Sequence, residues 1–229
     1  MAGARAYDGT RYMTIPTSIG IDNINKLTIA MWMYRSTASS NAGDVIVSKG
    51  SSTGRTLLEL YYLSGSSSWY CGVNNSAGHA SVAYSGTGWH HVAMTYDGSN
   101  PTQASRVKLW IDGTQLAFTG GSNTPGSTTQ TNGTVLEVGR DSGATSAKSG
   151  SGTGIAHFQV FNAELTQIQI QNLMWYPGSP PVSPLAYYPM LTTGATTEPD
   201  VCGNFDGTWQ SSVADLVHGP NVSFGRGGI

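Results

Sequence analysis

Two adjacent histidines stand out among the residues that could do chemistry, in the segment Gly88-Trp-His-His-Val92. Histidines can bind zinc or act as a general base. This segment has the composition of a β-strand, in which successive side chains point to opposite faces. His90 and His91 therefore cannot chelate one ion together, and we expect each of them to be packed or hydrogen-bonded.

A second group of candidates is aromatic. An exposed Trp or Tyr ring can stack on the apolar face of a pyranose, while nearby polar groups bind the sugar hydroxyls. Four rings are candidates for such a carbohydrate-binding role: Trp69, Tyr70, Tyr84 and Trp110. The alternative, that these rings fill a core or cover a sheet, stays open because the sequence does not show which face is concave.

The elements that must position these residues are mainly strands. Short runs rich in Val, Ile, Thr and aromatic residues alternate with Gly/Ser/Asn clusters, a rhythm typical of antiparallel strands joined by loops. Thr28–Tyr34 is nearly continuous in apolar character and predicts a central strand covered on both faces. Val107–Ile111 alternates, which directs Trp110 outward.

Turns and loops separate these strands. The pairs Asp97-Gly98 and Asp112-Gly113 predict turns. Hydroxyl-rich tracts predict surface loops at 36–43, 120–133 and 142–154.

One helix is predicted, over residues 167–175. Thr166 and Gln169 form a capping box at its start. Ile170, Leu173 and Met174 would share one apolar face. Because Pro177 prevents much continuation, the helix is short.

The Pro-rich segment 177–184 is the best candidate for a boundary, but the roughly 45 residues after it are too few for a core of their own. We therefore expect a single domain over 1–229. In this prediction 1–176 form the main sandwich, 177–184 a connector, and 185–229 a tail that packs back on it.

Composition restricts the partners. Charged residues make up 10% of the chain and the net charge is -2, without the Lys/Arg cluster that nucleic acid requires. The sequence contains no run of roughly 18 apolar residues and does not begin with the basic and apolar regions of a signal peptide. We expect no nucleic-acid or membrane partner. Cys71 and Cys202 are expected to be free thiols.

Gly88-Trp-His-His-Val-Ala-Met-Thr-Tyr-Asp-Gly98, followed by Val107-Lys-Leu-Trp-Ile-Asp-Gly113, resembles the central signature of laminin-G-like domains. Residues 6–13 are similar to the opening strand of that family, and residues 154–166 to its closing strand and helix. The resemblance implies an all-β fold, an antiparallel two-sheet jelly-roll sandwich of the concanavalin A-like type.

The tail also has a counterpart in the family. Ser183–Met190 and Asp200–Thr208 resemble the strand and loop that usually precede the opening strand. The resemblance thus implies a circularly permuted order, with residues 183–209 beside Tyr7–Ile15. Such an order is physically permissible because the termini of a domain often lie close together.

Some relatives bind calcium through Asp side chains and backbone carbonyls, and the resemblance makes Asp8, Asp200 and Asp206 the candidate ligands here. Two departures weaken that expectation. Cys202 replaces a serine of the family pattern, and Ala156-His157 stands where many relatives have an acidic residue. Turn chemistry is the alternative explanation for the aspartates.

Glycosidases of this fold place their carboxylates on one strand, typically as Glu-x-Asp-x-x-Glu, and no such run is present. Glu59 is isolated in Leu57–Tyr62. The sequence therefore favours a protein that is not an enzyme, although a glycosidase or lyase is kept as the least favoured alternative.

Two binding functions remain. The first is an adhesion or decoration module on a virion, because chains with this tail order resemble proteins of bacteriophage particles. Its partners would be glycans, other surface proteins such as capsid or tail proteins, or further copies of the chain, and its location the virion or extracellular surface, otherwise the cytoplasm. The second is a soluble, lectin-like carbohydrate-binding protein.

Overall fold

The computed structural model describes residues 3–7, 10–36, 44–51, 54–63, 66–74, 79–121, 124–131, 133–140, 142, 153–191, 196–210, 216–220 and 222. In this part of the chain strands dominate, and they form two antiparallel sheets accompanied by one α-helix. The predicted two-sheet sandwich is confirmed. The tracts 36–43 and 142–154, predicted as loops, lie largely outside the described residues.

Sheet A contains the strands β1 (Gly3–Tyr7), β3 (Lys26–Arg35), β8 (Gly88–Asp97), β9 (Val107–Ile111), β10 (Thr114–Leu116), β12 (Thr153–Phe161), β13 (Ala186–Tyr188) and β16 (Leu216–His218). Their order across the sheet is β10-β9-β8-β3-β12-β1-β16. β13 pairs with residues 158–160 of β12, whereas β1 pairs with residues 153–155 of that strand. The near-continuous apolar run of the sequence thus becomes β3, at the centre of the sheet.

Sheet B contains β2 (Tyr12–Ile15), β4 (Asp44–Ser51), β5 (Gly54–Leu63), β6 (Ser68–Val73), β7 (Ala80–Ala83), β11 (Leu136–Val138), β14 (Thr197–Glu198) and β15 (Gly207–Gln210). Its order is β14-β15-β2-β11-β4-β5-β6-β7. The strands β5, β6 and β7 follow one another along the chain and pair in sequence, so they present a regular array of side chains at one side of the sheet.

The core lies between the two sheets because alternate residues of each strand point inward. In β3, Leu27, Ile29 and Met31 belong to this core, whereas Thr28 and Ala30 point to the opposite side. Burial of these side chains provides the main favourable contribution to folding.

The helix α1 spans Gln167–Trp175, as predicted. Thr166 accepts a hydrogen bond from the backbone N–H of Gln169, and the Gln169 side chain accepts one from the N–H of Thr166. Ile170 and Leu173 pack on the outer face of sheet A. Because α1 covers this face, β3 is buried on both sides, also as predicted.

The tail contributes strands to both sheets. β13 pairs with β12, β15 pairs with β2, and β16 pairs with β1. Two buried charges join the tail to the first strand, since Nη2 of Arg5 lies 3.2 Å from Oε2 of Glu198 with both side chains 1% exposed. Trp209 donates its indole N–H to the same carboxylate oxygen, at 3.3 Å.

The Asp112-Gly113 pair forms the predicted turn, between β9 and β10. Asp112 has a φ of 49° and Gly113 a φ of 72°, which are left-handed values that suit a two-residue hairpin. A Cβ at position 113 would approach Cγ of Gln171 to 2.6 Å. Glycine is therefore required both by the turn and by the close contact with α1.

Both cysteines are free, with Cys71 in the core and Cys202 in the loop before β15. No helix in the described part of the chain is long and apolar enough to span a membrane.

Candidate functional site

Two of the four candidate aromatic residues are buried, which matches the alternative that they fill the core or cover a sheet. Trp69 points into the core from β6, is 3% exposed, and packs edge-on against Tyr62. Trp110 does point outward from sheet A, but α1 covers it and leaves it 6% exposed. Its indole N–H donates to Oγ1 of Thr95 at 3.1 Å. Neither ring has a free face for a sugar.

Tyr84 belongs to a hydrogen-bonded network after the end of β7. Its hydroxyl lies 3.1 Å from Nδ1 of His90, which also lies 2.7 Å from Oδ2 of Asp112. Nε2 of His90 lies 3.1 Å from the carbonyl oxygen of Thr87. Partial burial raises the pKa of Tyr84. These contacts give His90 a structural role and hold the Tyr84 ring partly against the core.

The aspartates proposed as calcium ligands differ in their surroundings. Asp200 is buried, and its two oxygens accept hydrogen bonds from the backbone N–H groups of Tyr187, Cys202, Asn204 and Phe205. Asp206 accepts one from the N–H of Asp200. Asp8 lies outside the described residues.

Within the ranges that the structure describes, no group of three His, Cys, Asp or Glu side chains is placed to hold a metal ion. The Asp200 carboxylate already accepts hydrogen bonds from backbone N–H groups of the loop that precedes β15, which matches the turn-based alternative. Calcium binding stays a prediction.

Tyr70, the remaining candidate, lies on the outer face of sheet B. Its ring stacks on that of Tyr61 on the neighbouring strand β5, with the centroids 4.9 Å apart and the planes 6° from parallel. On its other side it faces Ser81 of β7, which has a small side chain. Its hydroxyl lies 3.3 Å from Oγ of Ser66. Tyr70 is half-buried, so part of the ring is accessible.

His79, the residue immediately before β7, completes this group. Its ring meets Tyr61 and Tyr70 edge-on, with centroids 5.4 and 5.5 Å away. Nδ1 of His79 is in direct contact with Oε1 of Glu59, and Nε2 lies 3.0 Å from the hydroxyl of Tyr61. In the neutral tautomer that carries its proton on Nδ1, facing the carboxylate, Nε2 accepts from the Tyr61 hydroxyl. We call Glu59, Tyr61, Tyr70 and His79 the Tyr70 cluster.

The strand register explains why these four side chains meet. Glu59 and Tyr61 alternate with the inward-pointing residues of β5, so both lie on the outer face. Gly72 is the partner of Glu59 on β6, and His79 comes next to Gly72 because the following residue, Ala80, pairs with Cys71. Glycine leaves the space across which His79 reaches Glu59.

Sequence reasoning selected Tyr70 but missed its neighbours. The alternation of Leu58 and Leu60 with Glu59 and Tyr61 was a signal that this pair shares a face. No local signal placed His79 there, since its position depends on how β7 pairs with β6.

The arrangement can bind a polar ligand with an apolar side. Tyr70 offers a ring for stacking, and hydroxyl groups of Ser66 and Ser81 lie beside it. The Glu59 side chain is 2% exposed, and its Oε1 contacts His79. Its other oxygen, Oε2, has no hydrogen-bond partner among the described atoms.

Two antiparallel sheets around one core, with a helix on the outer face of one of them, define a lectin-like jelly-roll sandwich. The family model described as the concanavalin A-like lectin/glucanases superfamily matches residues 7–171, well over half of the chain. The chain belongs to this superfamily.

Solved structures share the fold at low sequence identity. A proposed carbohydrate-binding protein from Bacteroides ovatus ATCC 8483 superposes with a TM-score of 0.69 and 15% identity, covering 95% of this chain and 62% of that protein. A native heptameric SAP-like pentraxin from Limulus polyphemus has a TM-score of 0.54 and 16% identity, covering 75% and 81%.

Trypanosoma rangeli sialidase, in complex with 2,3-difluorosialic acid, has a TM-score of 0.51 and 17% identity, covering 73% of this chain and 26% of the enzyme. The chain thus spans less than two thirds of the Bacteroides protein and about a quarter of the sialidase. Comparison with curated proteins finds no match. At these identities the likeness concerns the fold, and function must be argued from the site.

Proposed function

We propose that the chain is a non-catalytic carbohydrate-binding module whose sugar site is the Tyr70 cluster. The observation that carries the proposal is the partly exposed Tyr70 ring, held by its stack on Tyr61 and flanked by the polar groups of His79 and Ser66. Sugar sites combine an aromatic platform with a few fixed polar groups in this way. The Bacteroides neighbour of the same fold supports the proposal.

Tyr70→Ala is expected to weaken binding to any glycan that the chain recognises on an array by about tenfold or more, because the ring supplies the stacking surface. Tyr176→Ala is the matched control, since Tyr176 is exposed and lies at the end of α1, away from sheet B. Equal losses in the two variants, or no glycan bound by the unmodified chain, would contradict the proposal.

The proposal that the chain is not an enzyme rests on the contacts and the burial of two carboxylates on this face of sheet B. Glu59 and Glu137 lie on one row of sheet B, separated by Ser48. Two strand spacings amount to roughly 10 Å, close to the separation of an inverting pair. However, Glu59 contacts His79, Glu137 lies 3.5 Å from Arg140, and both are buried.

Incubation of the chain with polysaccharides is therefore expected to release no reducing sugar. Release that disappears in Glu59→Gln would establish a glycosidase in place of a binding module.

Location on a virion, with capsid or tail proteins as partners, stays a prediction, and so does self-association. Mass spectrometry of purified particles from an infected host that expresses the chain tests the first. Sedimentation of the purified chain tests the second.

A further inference from the structure

Resting on the function proposed above, we infer that the Tyr70 cluster selects sugars that present hydroxyl groups and rejects sugars that carry a carboxylate. Glu59 is the specificity-determining residue. Its side chain lies on the same face of β5 as Tyr61, on which the Tyr70 ring stacks. The ligand class is an uncharged glycan, as opposed to a uronic or sialic acid.

The first reason is the hydrogen-bonding capacity of Glu59. An ionised carboxylate only accepts hydrogen bonds. Oε1 faces Nδ1 of His79, while Oε2 is buried and has no partner among the described atoms. Leaving such an oxygen unsatisfied is unfavourable, so a donor from a ligand is strongly preferred there. A sugar hydroxyl can donate to this oxygen, whereas an ionised carboxylate group placed in the same position cannot.

The second reason is steric access. Gly72 stands opposite Glu59 on β6, and His79 follows on the far side of it. The row therefore has no side chain between the carboxylate and the imidazole. His79 borders the carboxylate on this side, and its side chain is 30% exposed.

The third reason is the balance of charge. Glu137, on the same row of the sheet, is paired with the guanidinium of Arg140. Glu59 has no guanidinium or ammonium partner in the described part of the chain, and its one ionic contact is with His79. In the described part of the chain, an anionic ligand at Glu59 would therefore meet a carboxylate that no lysine or arginine offsets.

The size of the effect follows from Coulomb's law. A ligand carboxylate about 5 Å from Glu59, at the effective dielectric constant of a partly exposed site, is disfavoured by about tenfold or more in affinity. The lost hydrogen bond to Oε2 adds to this discrimination.

The test is an array in which neutral glycans are printed beside their uronic acid counterparts with the same linkage, for example oligomers of β-1,4-mannose and β-1,4-mannuronate. The unmodified chain is expected to bind neutral members at least about tenfold more tightly than their acidic partners. This comparison requires no variant, so it does not depend on whether a variant folds.

Glu59→Gln keeps the shape of the side chain and an oxygen toward His79, removes the negative charge, and adds an amide donor. It is expected to reduce the discrimination at least about fivefold, chiefly through tighter binding of acidic members. Glu164→Gln is the matched control, because Glu164 pairs with Lys108 of β9 in sheet A and immediately precedes the helix α1, away from the Tyr70 cluster. Thermal melts establish that each variant is folded.

The outcomes separate the two proposals. Acidic glycans bound as tightly as their neutral partners, with binding lost in Tyr70→Ala, would overturn the charge selectivity and leave the sugar site in place. Unchanged discrimination in a folded Glu59→Gln variant would likewise overturn the role of Glu59. Absence of binding to every glycan on the array would overturn the proposed function, and the selectivity with it.

Discussion

His91 and His157 are buried on the outer side of sheet A, beneath the region that α1 covers. His91 packs edge-on against Trp32, and Nδ1 of His157 lies 2.8 Å from the hydroxyl of Tyr187. Burial lowers the pKa of each imidazole to about 4. For His91 the nearby Asp112 carboxylate acts in the opposite direction, while His157 lowers the pKa further. Both imidazoles are therefore neutral in the folded protein at neutral pH.

This pair predicts acid sensitivity of the fold. Between pH 6.5 and 4 the unfolded chain binds protons at these histidines and the folded chain does not, so stability falls as the pH falls through this range. Each histidine accounts for a loss of about 3 kcal/mol at most. Urea titrations from pH 7.5 to 4 measure the loss. His91→Gln should flatten the profile relative to that of the unmodified chain.

At the level of single residues, the sequence showed which aromatic side chains could bind a sugar, but it did not show which of them are exposed. Trp69 and Tyr70 are adjacent, and alternation requires that one of them points inward. The local pattern does not say which, because Trp69 continues toward Cys71 and Val73 while Tyr70 continues toward Gly72. The choice is made by the packing of β6 against the core, a long-range property.

Among the elements, α1 shows both what local chemistry determines and what it does not. The capping box and the apolar face were readable in the sequence, and the helix has the predicted bounds. Its docking position was not readable. Ile170 and Leu173 cover Trp110, Ala30 and Ala93, which lie far away along the chain, so the burial of Trp110 could not be inferred from its own strand.

Loss of the cap is expected to destabilise the whole domain, because α1 covers a central part of sheet A. Thr166→Ala removes the acceptor for the N–H of Gln169 and should lower the free energy of unfolding by about 1 kcal/mol. Thr102→Ala is the control. Thr102 precedes the short 3-10 helix Gln103–Ser105, and its side chain makes no capping bond. Chemical denaturation measures both, and equal effects would contradict the role of the cap.

For the molecule as a whole, the notable feature is the tail. Its strands join β12, β2 and β1, and the resemblance to family elements that normally come first was visible in the sequence. The buried ion pair between Arg5 and Glu198 was not, because the two residues stand 193 positions apart without any shared motif. Such a contact depends on the packing of Trp209 and Tyr7 around it.

A single substitution at Glu198 tests whether the buried ion pair stabilises the packing of the tail. Glu198→Ala leaves the Arg5 guanidinium buried without its carboxylate and should lower the stability by about 3–5 kcal/mol. Replacement of both residues, as Arg5→Met with Glu198→Leu, should cost less than Glu198→Ala alone, since no unpaired charge is then buried. Denaturant titrations of the three chains give the comparison. A single variant as stable as the unmodified chain would show that the pair does not hold the tail.

Removal of residues 183–229 is the larger test. It deletes β13–β16, exposes the edges of β1 and β2, and removes the carboxylate that pairs with Arg5. The truncated chain is therefore expected to unfold at much lower denaturant or to aggregate through its open edges. The same residues supplied as a separate peptide should restore part of the stability, because the missing strands can pair again with β12 and β2. A truncated chain that melts like the full one would mean that the tail is an appendage, and that residues 1–182 form the complete sandwich.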